Sequence, residues 1–466
     1  MKLDESNEVT YRDKLSTIDE DGKRIWIHAK KPKGKLYNYR QFFGYFLLAF
    51  LFIVPFIKIH GEPLMLFNVI QRKFIIFGVI FWPQDSFLFY LMMLSGILFI
   101  ILFTVVYGRL FCGWACPQTI FLELVFRKIE WLIDGTPAQQ KKLKAQSWNL
   151  IKIFKRVIKH IIFWLISLLI VLALLSFILG VETVINFVKK PFPENTGGFI
   201  ALVVFTSAFY FIYAWFREQV CSIMCPYGRL QGVLLDSNSI IVSYDYFRGE
   251  PKGVAKKGEE DSYGDCIDCK QCVQVCPTGI DIRNGTQLEC VNCTACIDAC
   301  NATMKKVGKP KGLIRFASEN GIKNGQKLKL TPRNLAYSIV LGIILIFLTT
   351  LLFTRPDIET NILRDKNFMY QEQGDSAISN IYNVRILNKT HKAMDLKIKL
   401  VSIDGELKFF GDNLHVESGQ KTEPKMIVYI PKEEIKTKDL ILKFKIYSGN
   451  KLLEETQTNF VGPDVH

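Results

Sequence analysis

Nearly uncharged apolar runs long enough to cross a bilayer recur five times in this 466-residue chain, and they leave it few ways to fold. They are Phe42–Ile57, Phe87–Tyr107, Ile158–Leu179, Phe199–Phe216 and Leu335–Thr354. At about 1.5 Å per residue, a helix of roughly 20 residues spans the roughly 30 Å of hydrocarbon and satisfies its own backbone there. The first run is the shortest, but Gln41 and Lys58 flank it and can extend to the interface. A sixth run, Phe74–Trp82, has nine residues and ends at Pro83, so it reads as an interfacial or re-entrant piece. Mostly polar residues precede the first run, so a cleavable signal peptide is not expected. Composition agrees: 49% hydrophobic residues, including 36 Phe, coexist with a net charge of +15 because the two are segregated along the chain. That segregation excludes a purely soluble enzyme and a disordered chain.

The cations set an orientation, because cytoplasmic flanks of membrane helices carry the excess of Lys and Arg. Segments 1–40 and 217–333 hold 10 and 17 of them, and the loop after the second run is similarly basic. The loops near 58–86 and 180–198 hold only 3 and 2. The N-terminus, loop 108–157 and segment 217–334 are therefore expected in the cytoplasm, and five crossings put 355–466 outside. That tail carries 17 cations, but long domains translocate largely regardless of charge. The expected fold is a multi-domain membrane protein. An N-terminal segment 1–40 leads into four helices within 41–216. A cytoplasmic segment 217–334 with a cysteine-rich domain at 260–305 follows, then a fifth helix at 335–354 and an outer domain at 355–466.

After Pro356 the pattern changes to period-two alternation. In Asp439–Ser448, Leu440, Leu442, Phe444 and Ile446 share one face while Lys443 and Lys445 take the other. Similar strands are expected at Asn380–Asn388, Met394–Ile403 and Lys425–Ile430, which together suggest an all-β, immunoglobulin-like sandwich. His391 and His415 read as solvated surface residues, and the domain as a binding or docking module. Loop 126–157, rich in Lys with Trp131 and Trp148, reads as a surface drawn to anionic membrane lipid. Nothing beyond charge points to nucleic acid, so no such partner is expected.

The chemistry concentrates in twelve cysteines. Cys266, Cys269, Cys272 and Cys276 form one C-x2-C-x2-C-x3-C run, and Cys290, Cys293, Cys296 and Cys300 form another. Three thiolates at this spacing can wrap three corners of an iron–sulfur cube, while the fourth reaches the other cube. The expected ligand sets are therefore crossed: Cys266, Cys269, Cys272 and Cys300 for one 4Fe-4S cluster, and Cys290, Cys293, Cys296 and Cys276 for the other. Structural zinc uses separated pairs, and disulfides are disfavoured on the reducing side of the membrane. The segment closely resembles a bacterial two-cluster ferredoxin (α+β), departing from it at Asn301, where that pattern has Pro. Such clusters move single electrons.

The other four cysteines form two C-x3-C-P pairs, Cys112/Cys116 before Pro117 and Cys221/Cys225 before Pro226. Each follows a pair of apolar runs, so the chain holds a parallel internal repeat. If the backbone is helical, i and i+4 put each thiol pair on one face, and the prolines mark an irregularity just after it. Four soft thiolates at the headgroup level would suit Cu(I), Zn or an iron–sulfur cluster, and Met224 adds a thioether that favours Cu(I). A redox disulfide and plain buried thiols are the other readings. No haem-attachment, P-loop or dinucleotide motif accompanies them, and His160 reads as an interfacial hydrogen-bonded histidine.

With these motifs in place, the chain resembles the cytochrome c oxidase accessory proteins, the CcoG/RdxA/FixG group of polyferredoxin-type membrane proteins. Phe111-Cys112-Gly113-Trp114-Ala115-Cys116-Pro117 and Cys221-Ser222-Ile223-Met224-Cys225-Pro226-Tyr227-Gly228-Arg229 look like that family's signatures. The resemblance implies a multi-pass protein of the bacterial inner membrane that works with the assembly machinery of a cbb-type oxidase. It implies copper delivery through reduction of Cu(II) to Cu(I), with electrons from an unidentified cytoplasmic donor passing to copper at Cys112, Cys116, Cys221 and Cys225. The pairs and the ferredoxin segment also resemble quinol-dehydrogenase components of nitrate reductase systems. A quinol-linked electron-transfer subunit is thus the second reading, and a purely structural assembly factor the third.

Overall fold

The computed structural model describes residues 16–463 except positions 20, 60, 72, 82–85, 190–195, 255–262, 326–331, 355, 366–368, 374–376, 391, 412–413 and 436. His391 and Trp82 lie outside the described residues. The chain forms two compact units, one of Met1–Ile57 with Tyr90–Ile346 and one of Lys58–Phe89 with Phe347–His466.

Among the described residues, four helices are long and apolar enough to cross a membrane: Lys35–Phe56, Phe89–Tyr107, Leu150–Leu179 and Thr196–Phe216. No more than 28% of any of their apolar windows is buried within the protein. Side chains such as Phe46, Leu165 and Phe205 stand at least half exposed, which only a hydrocarbon solvent tolerates over so many turns. The third helix starts earlier than its apolar run, at Leu150, where the Asn149 side chain accepts from the Lys152 amide at 2.8 Å and caps it. The expected fifth span is the helix Pro332–Phe353, whose described apolar stretch is the shorter Leu335–Leu351. Four of the five expected spans are thus long apolar helices among the described residues, and the fifth expected span falls on the helix Pro332–Phe353.

Within the first unit, strand Ile241–Tyr244 pairs antiparallel with Ile314–Ala317 and encloses both cysteine runs. Asp268 and Lys270 flank Cys269 with φ of 51° and 52°, and Asn292 and Thr294 flank Cys293 with φ of 51° and 66°. Left-handed backbone is rare for residues other than glycine. Its recurrence at matching places winds both runs the same way, each then entering a helix, Gln271–Gln274 and Ala295–Lys306.

In the second unit the tail is a sandwich of a six-stranded and a four-stranded sheet. The expected strands are present as Ala377–Asn388, Met394–Leu400, Lys425–Pro431 and Asp439–Ser448. Leu442, Phe444 and Ile446 are fully buried beside Tyr382, Val428 and Phe460, so alternation fixes the core face as read. The sixth apolar run corrects the expectation of an interfacial or re-entrant piece. Strands Met65–Asn68, Lys73–Ile76 and Val79–Phe81 form an antiparallel meander turning at Phe77 and Gly78, both at positive φ. Its alternate residues Ile75 and Ile80 pair across the turn and are fully buried. A nine-residue apolar run satisfies its backbone more readily in a sheet than in lipid.

Candidate redox site

Each C-x3-C-P pair breaks a helix instead of riding along one face. Cys112 sits in the short helix Leu110–Trp114, whereas Cys116 has extended backbone and precedes the helix Pro117–Ile120. In the second pair Cys221 lies in a π-helical turn, Val220–Met224, and Cys225 is the extended residue before the helix Pro226–Leu234. The expectation of one continuous face is corrected accordingly. Proline lacks the amide that a first helical turn leaves unpaired, so it starts a helix well, and the cysteine before it becomes the cap. The Gly228 amide donates to Cys225 Sγ at 3.4 Å.

The two pairs nevertheless lie near each other, although no three of their thiols close on one point. Cys112 and Cys221 each lie within electrostatic reach of the other pair's thiols, and both also feel the Arg109 guanidinium. Burial pushes Cys112 up to about 11 and Cys221 up to about 12, with Arg109 pulling the other way. Cys112 Sγ donates to Gln231 Oε1 at 2.9 Å, and the fully buried Gln231 donates on to Thr104 Oγ1 at 3.3 Å. Met224 is 56% exposed, so its thioether lies at the surface while Cys112 is buried. Arg109 was not singled out from sequence, although it stands three residues before Cys112. It is 3% exposed, and its Nε has no hydrogen-bond partner. It also lies within electrostatic reach of Cys290 of the second run, so one cation acts on thiols of both sets.

The second cysteine run packs directly on the first pair. Cys112 shares a buried cluster with Val275, Val291, Cys293 and Ala295. A Cβ on Gly113 would collide with the Val291 carbonyl and come 3.0 Å from the Cys293 Cα, and one on Gly108 (φ 58°) would come 2.7 Å from Ile241. Two glycines thus allow the contact. Gly113→Ala is expected to cost about 1–3 kcal/mol through overpacking. Gly96→Ala, where a Cβ meets nothing within 4 Å, serves as the control. Thermal unfolding of both variants in detergent is the measurement, and equal melting would refute the tight seat.

The eight remaining thiols fall into two neighbourhoods. Cys300 feels Cys266 and Cys269, and Cys272 feels Cys300 and Cys269. Cys276, Cys290, Cys293 and Cys296 line one cavity with Val242, Ile280 and Ile282, and Cys272 reaches its wall from the first neighbourhood. Cys269 is exposed, which leaves the first neighbourhood open at one edge. Burial pushes Cys272 and Cys290 up to about 12 and Cys293 and Cys300 up to about 11, so they are protonated unless a metal holds them as thiolates. Among the described residues no three His, Cys, Asp or Glu side chains close on one point as a single ion requires. Thiols spread around a cavity fit the corners of a cube better.

Buried ion pairs knit this assembly to the helix bundle. Glu123–Arg127 (2.7 Å), Arg127–Glu218 (3.5 Å), Arg217–Glu130 (2.6 Å) and Lys159–Asp134 (2.5 Å) all have side chains no more than 10% exposed. Arg127 also donates to the Pro277 carbonyl, beside Cys276, at 3.4 Å. The reading of loop 126–157 as a lipid-facing surface is therefore corrected in part. Leu132 and Trp148 are 84% and 74% exposed, but Glu130 and Asp134 are buried in the network, and the Trp131 indole donates to the Ala29 carbonyl at 3.2 Å.

Comparison with known proteins agrees with this geometry. Residues 216–319 match a family model described as a 4Fe-4S dicluster domain, and residues 89–134 match one described as a 4Fe-4S binding domain. Residues 348–463 match a model of the Ig-like fold at the C-terminus of FixG. RdxB of Cereibacter sphaeroides is 34% identical over 404 residues, covering 82% of this chain and 83% of that protein. RdxA of the same organism is 33% identical over 74% of each chain. The nitrogen fixation protein FixG of Rhizobium meliloti is 30% identical over 78% of this chain and 77% of its own. A crystal structure of a FixG-related protein from Vibrio parahaemolyticus aligns with 23% of this chain at 18% identity and a TM-score of 0.20, too low to bear on the fold. The dicluster model and the thiol neighbourhoods together give the chain two 4Fe-4S clusters as cofactors.

Proposed function

The chain belongs to the family of RdxA, RdxB and FixG, and on that footing we propose that it is an electron-transfer protein that reduces Cu(II) to Cu(I) for assembly of a cbb-type cytochrome c oxidase. Cys266, Cys269, Cys272 and Cys300 would hold one 4Fe-4S cluster, and Cys276, Cys290, Cys293 and Cys296 the other. When bound, the clusters supply one-electron storage and transfer. Cys112, Cys116, Cys221 and Cys225 receive copper as the substrate, with Met224 a surface thioether at its approach. One electron per ion converts Cu(II) to Cu(I), which soft sulfur then retains. Arg109 offsets the negative charge of the thiolates that form as copper displaces their protons.

The observation that carries this reading is the packing of Cys112 and Gly113 directly onto Val291 and Cys293, which joins the four-thiol site to the second cysteine run. Replacing all four thiols by Ser is the test. Cu(I) retention after anaerobic loading and dialysis is expected to fall to background while the iron content stays at the wild-type level. Unchanged copper retention would remove the site.

The proposed setting is a bacterial inner membrane, with the cysteine-rich parts in the cytoplasm and the tail outside. The charge distribution supports it, and so does a parity argument. Lys58–Phe89 and Phe347–His466 belong to one compact unit, so an even number of crossings must separate them. Three long helices lie between them, and Pro332–Phe353 supplies the fourth crossing.

A further inference from the structure

We propose that Arg40 and Arg109 are the built-in counter-ions of the second 4Fe-4S cluster and make it the preferred seat of an electron entering this chain. The inference rests on the electron-transfer reading above and names the residues that direct the electron within it. Both arginines are 3% exposed, and among the described residues neither forms an ion pair with a carboxylate. A buried cation left without an anion is strongly destabilising, so two of them at one place point to an anion that the side chains do not supply. Cys293 lies within electrostatic reach of Arg40, and Cys290 within that of Arg109. An iron–sulfur cube held by four thiolates is a net anion, and these thiols are among those that would hold it.

Local structure fixes Arg40 in place. Asp298, in the helix Ala295–Lys306, accepts from the Leu36 amide at 3.4 Å and the Tyr37 amide at 2.8 Å. It thereby seats the start of the helix Lys35–Ile53 on the second cysteine run. One turn further along, Arg40 Nε donates to the Gly113 carbonyl at 2.7 Å. A Cβ on Gly113 would come 3.0 Å from the Cys293 Cα, so this guanidinium is anchored at the edge of the second neighbourhood. The carboxylates nearby are matched elsewhere. Glu123 pairs with Arg127 at 2.7 Å, and Glu218 with Arg24 at 3.3 Å and Arg127 at 3.5 Å. Glu289 accepts from the Ser16 amide at 3.2 Å.

The first neighbourhood is built the other way, because the cations acting on its thiols already have anions. Arg283, which acts on Cys272, lies between Asp281 at 2.6 Å and Asp268, and Asp281 opposes it at that thiol. Arg248, which acts on Cys300, pairs with Asp265. Cluster potentials follow net charge and hydrogen bonding around the sulfurs, so two unmatched cations favour the added electron on the second cluster. Water at the exposed Cys269 also favours added charge, but it borders one sulfur and must reorient, whereas the arginines are fixed beforehand. The second run is also the one that packs on Cys112, so the electron is held on the side facing the four-thiol site.

The test is a potentiometric titration of the full chain, purified anaerobically in detergent and followed by EPR. Cys266→Ala identifies the signals, because Cys266 belongs to the first cluster whether or not the fourth ligands cross. The signal it leaves is expected to be the one with the higher midpoint in the parent chain. Arg40→Gln keeps a donor for the Gly113 carbonyl but no charge. It is expected to lower that midpoint by about 59 mV or more, a tenfold loss of electron occupancy relative to the first cluster, whose midpoint stays in place. Arg40→Lys restores the charge and is expected to recover most of the shift. Arg109 acts on both thiol sets, so Arg40 is the cleaner position. Should Arg40→Gln lose iron, iron content decides: Arg40→Lys is expected to hold the parent's iron, and equal loss from it would overturn the proposal. An unshifted second midpoint, equal shifts in both clusters, the same shift in Arg40→Lys as in Arg40→Gln, or a lower midpoint for the second cluster would overturn it as well. Clusters that accept no electron reversibly would instead sink the electron-transfer reading, and copper retention reads the four-thiol site separately.

Discussion

Cys300→Ala is expected to cut the iron content from about eight atoms per chain to about four, because it removes a ligand from one cube only. The crossed pairing makes the prediction specific. Cys300 is contiguous with the second run but lies among Cys266, Cys269 and Cys272. Adding Cys266→Ala to Cys300→Ala should therefore remove no further iron, whereas adding Cys290→Ala should remove the rest. Cys276→Ala is the mirror case, its deficit shared with Cys290→Ala. Iron and sulfide analysis of anaerobically prepared protein, with EPR of the reduced state, reads all of these. An uncrossed arrangement would give the reverse outcome in both double variants.

The second large effect is expected at Glu130. Arg217 and Lys159 converge on it at 2.6 and 3.8 Å, and none of the three side chains is more than 10% exposed. Glu130→Ala leaves the Arg217 guanidinium buried without its nearest anion, a loss of about 3–5 kcal/mol. Arg217→Met on top of it should restore part of the stability, since an apolar side chain of similar length carries no such penalty. The fraction of chain that elutes as a single species after mild heating measures both. A related effect follows from pH. Burial alone would raise the Glu130 carboxyl, but the Arg217 charge outweighs it and holds Glu130 down to about 2 against an ordinary 4.5. A depressed carboxylate stabilises the fold fully above its unfolded value, so this contribution should persist to about pH 4.5 and fade as the pH falls toward 2. A midpoint of acid unfolding that is the same in Glu130→Gln as in the parent chain would contradict it.

What could be read in advance was whatever a short spacing rule governs. Cysteine intervals pointed to two cubes, alternation in Asp439–Ser448 pointed to a buried face with Leu442 and Phe444 on it, and long uncharged runs pointed to lipid. What could not be read depends on partners distant in the chain. Arg109 looked like one more membrane-edge cation until Cys290 and Cys221 arrived beside it from two other segments. Lys159, within an apparent span, is an interior cation because Asp134 meets it across the bundle. The meander at Met65–Phe81 escaped notice because its strands are at most four residues long, too short to show a period. The prolines after Cys116 and Cys225 were legible as interruptions, but only the surrounding packing shows that they begin helices rather than end them.

The residues on either side of Cys269 and Cys293 hold a twist that side chains resist, at roughly 1–3 kcal/mol apiece. A loop bent in this way is expected to straighten when nothing grips its sulfurs. Straightening the second loop would draw Val291 away from Gly113, so metallation and closure of the joint between soluble and membrane halves become a single equilibrium. Chelating the iron should consequently loosen the protein at a place well removed from the metal, and refilling it should lock the halves together again.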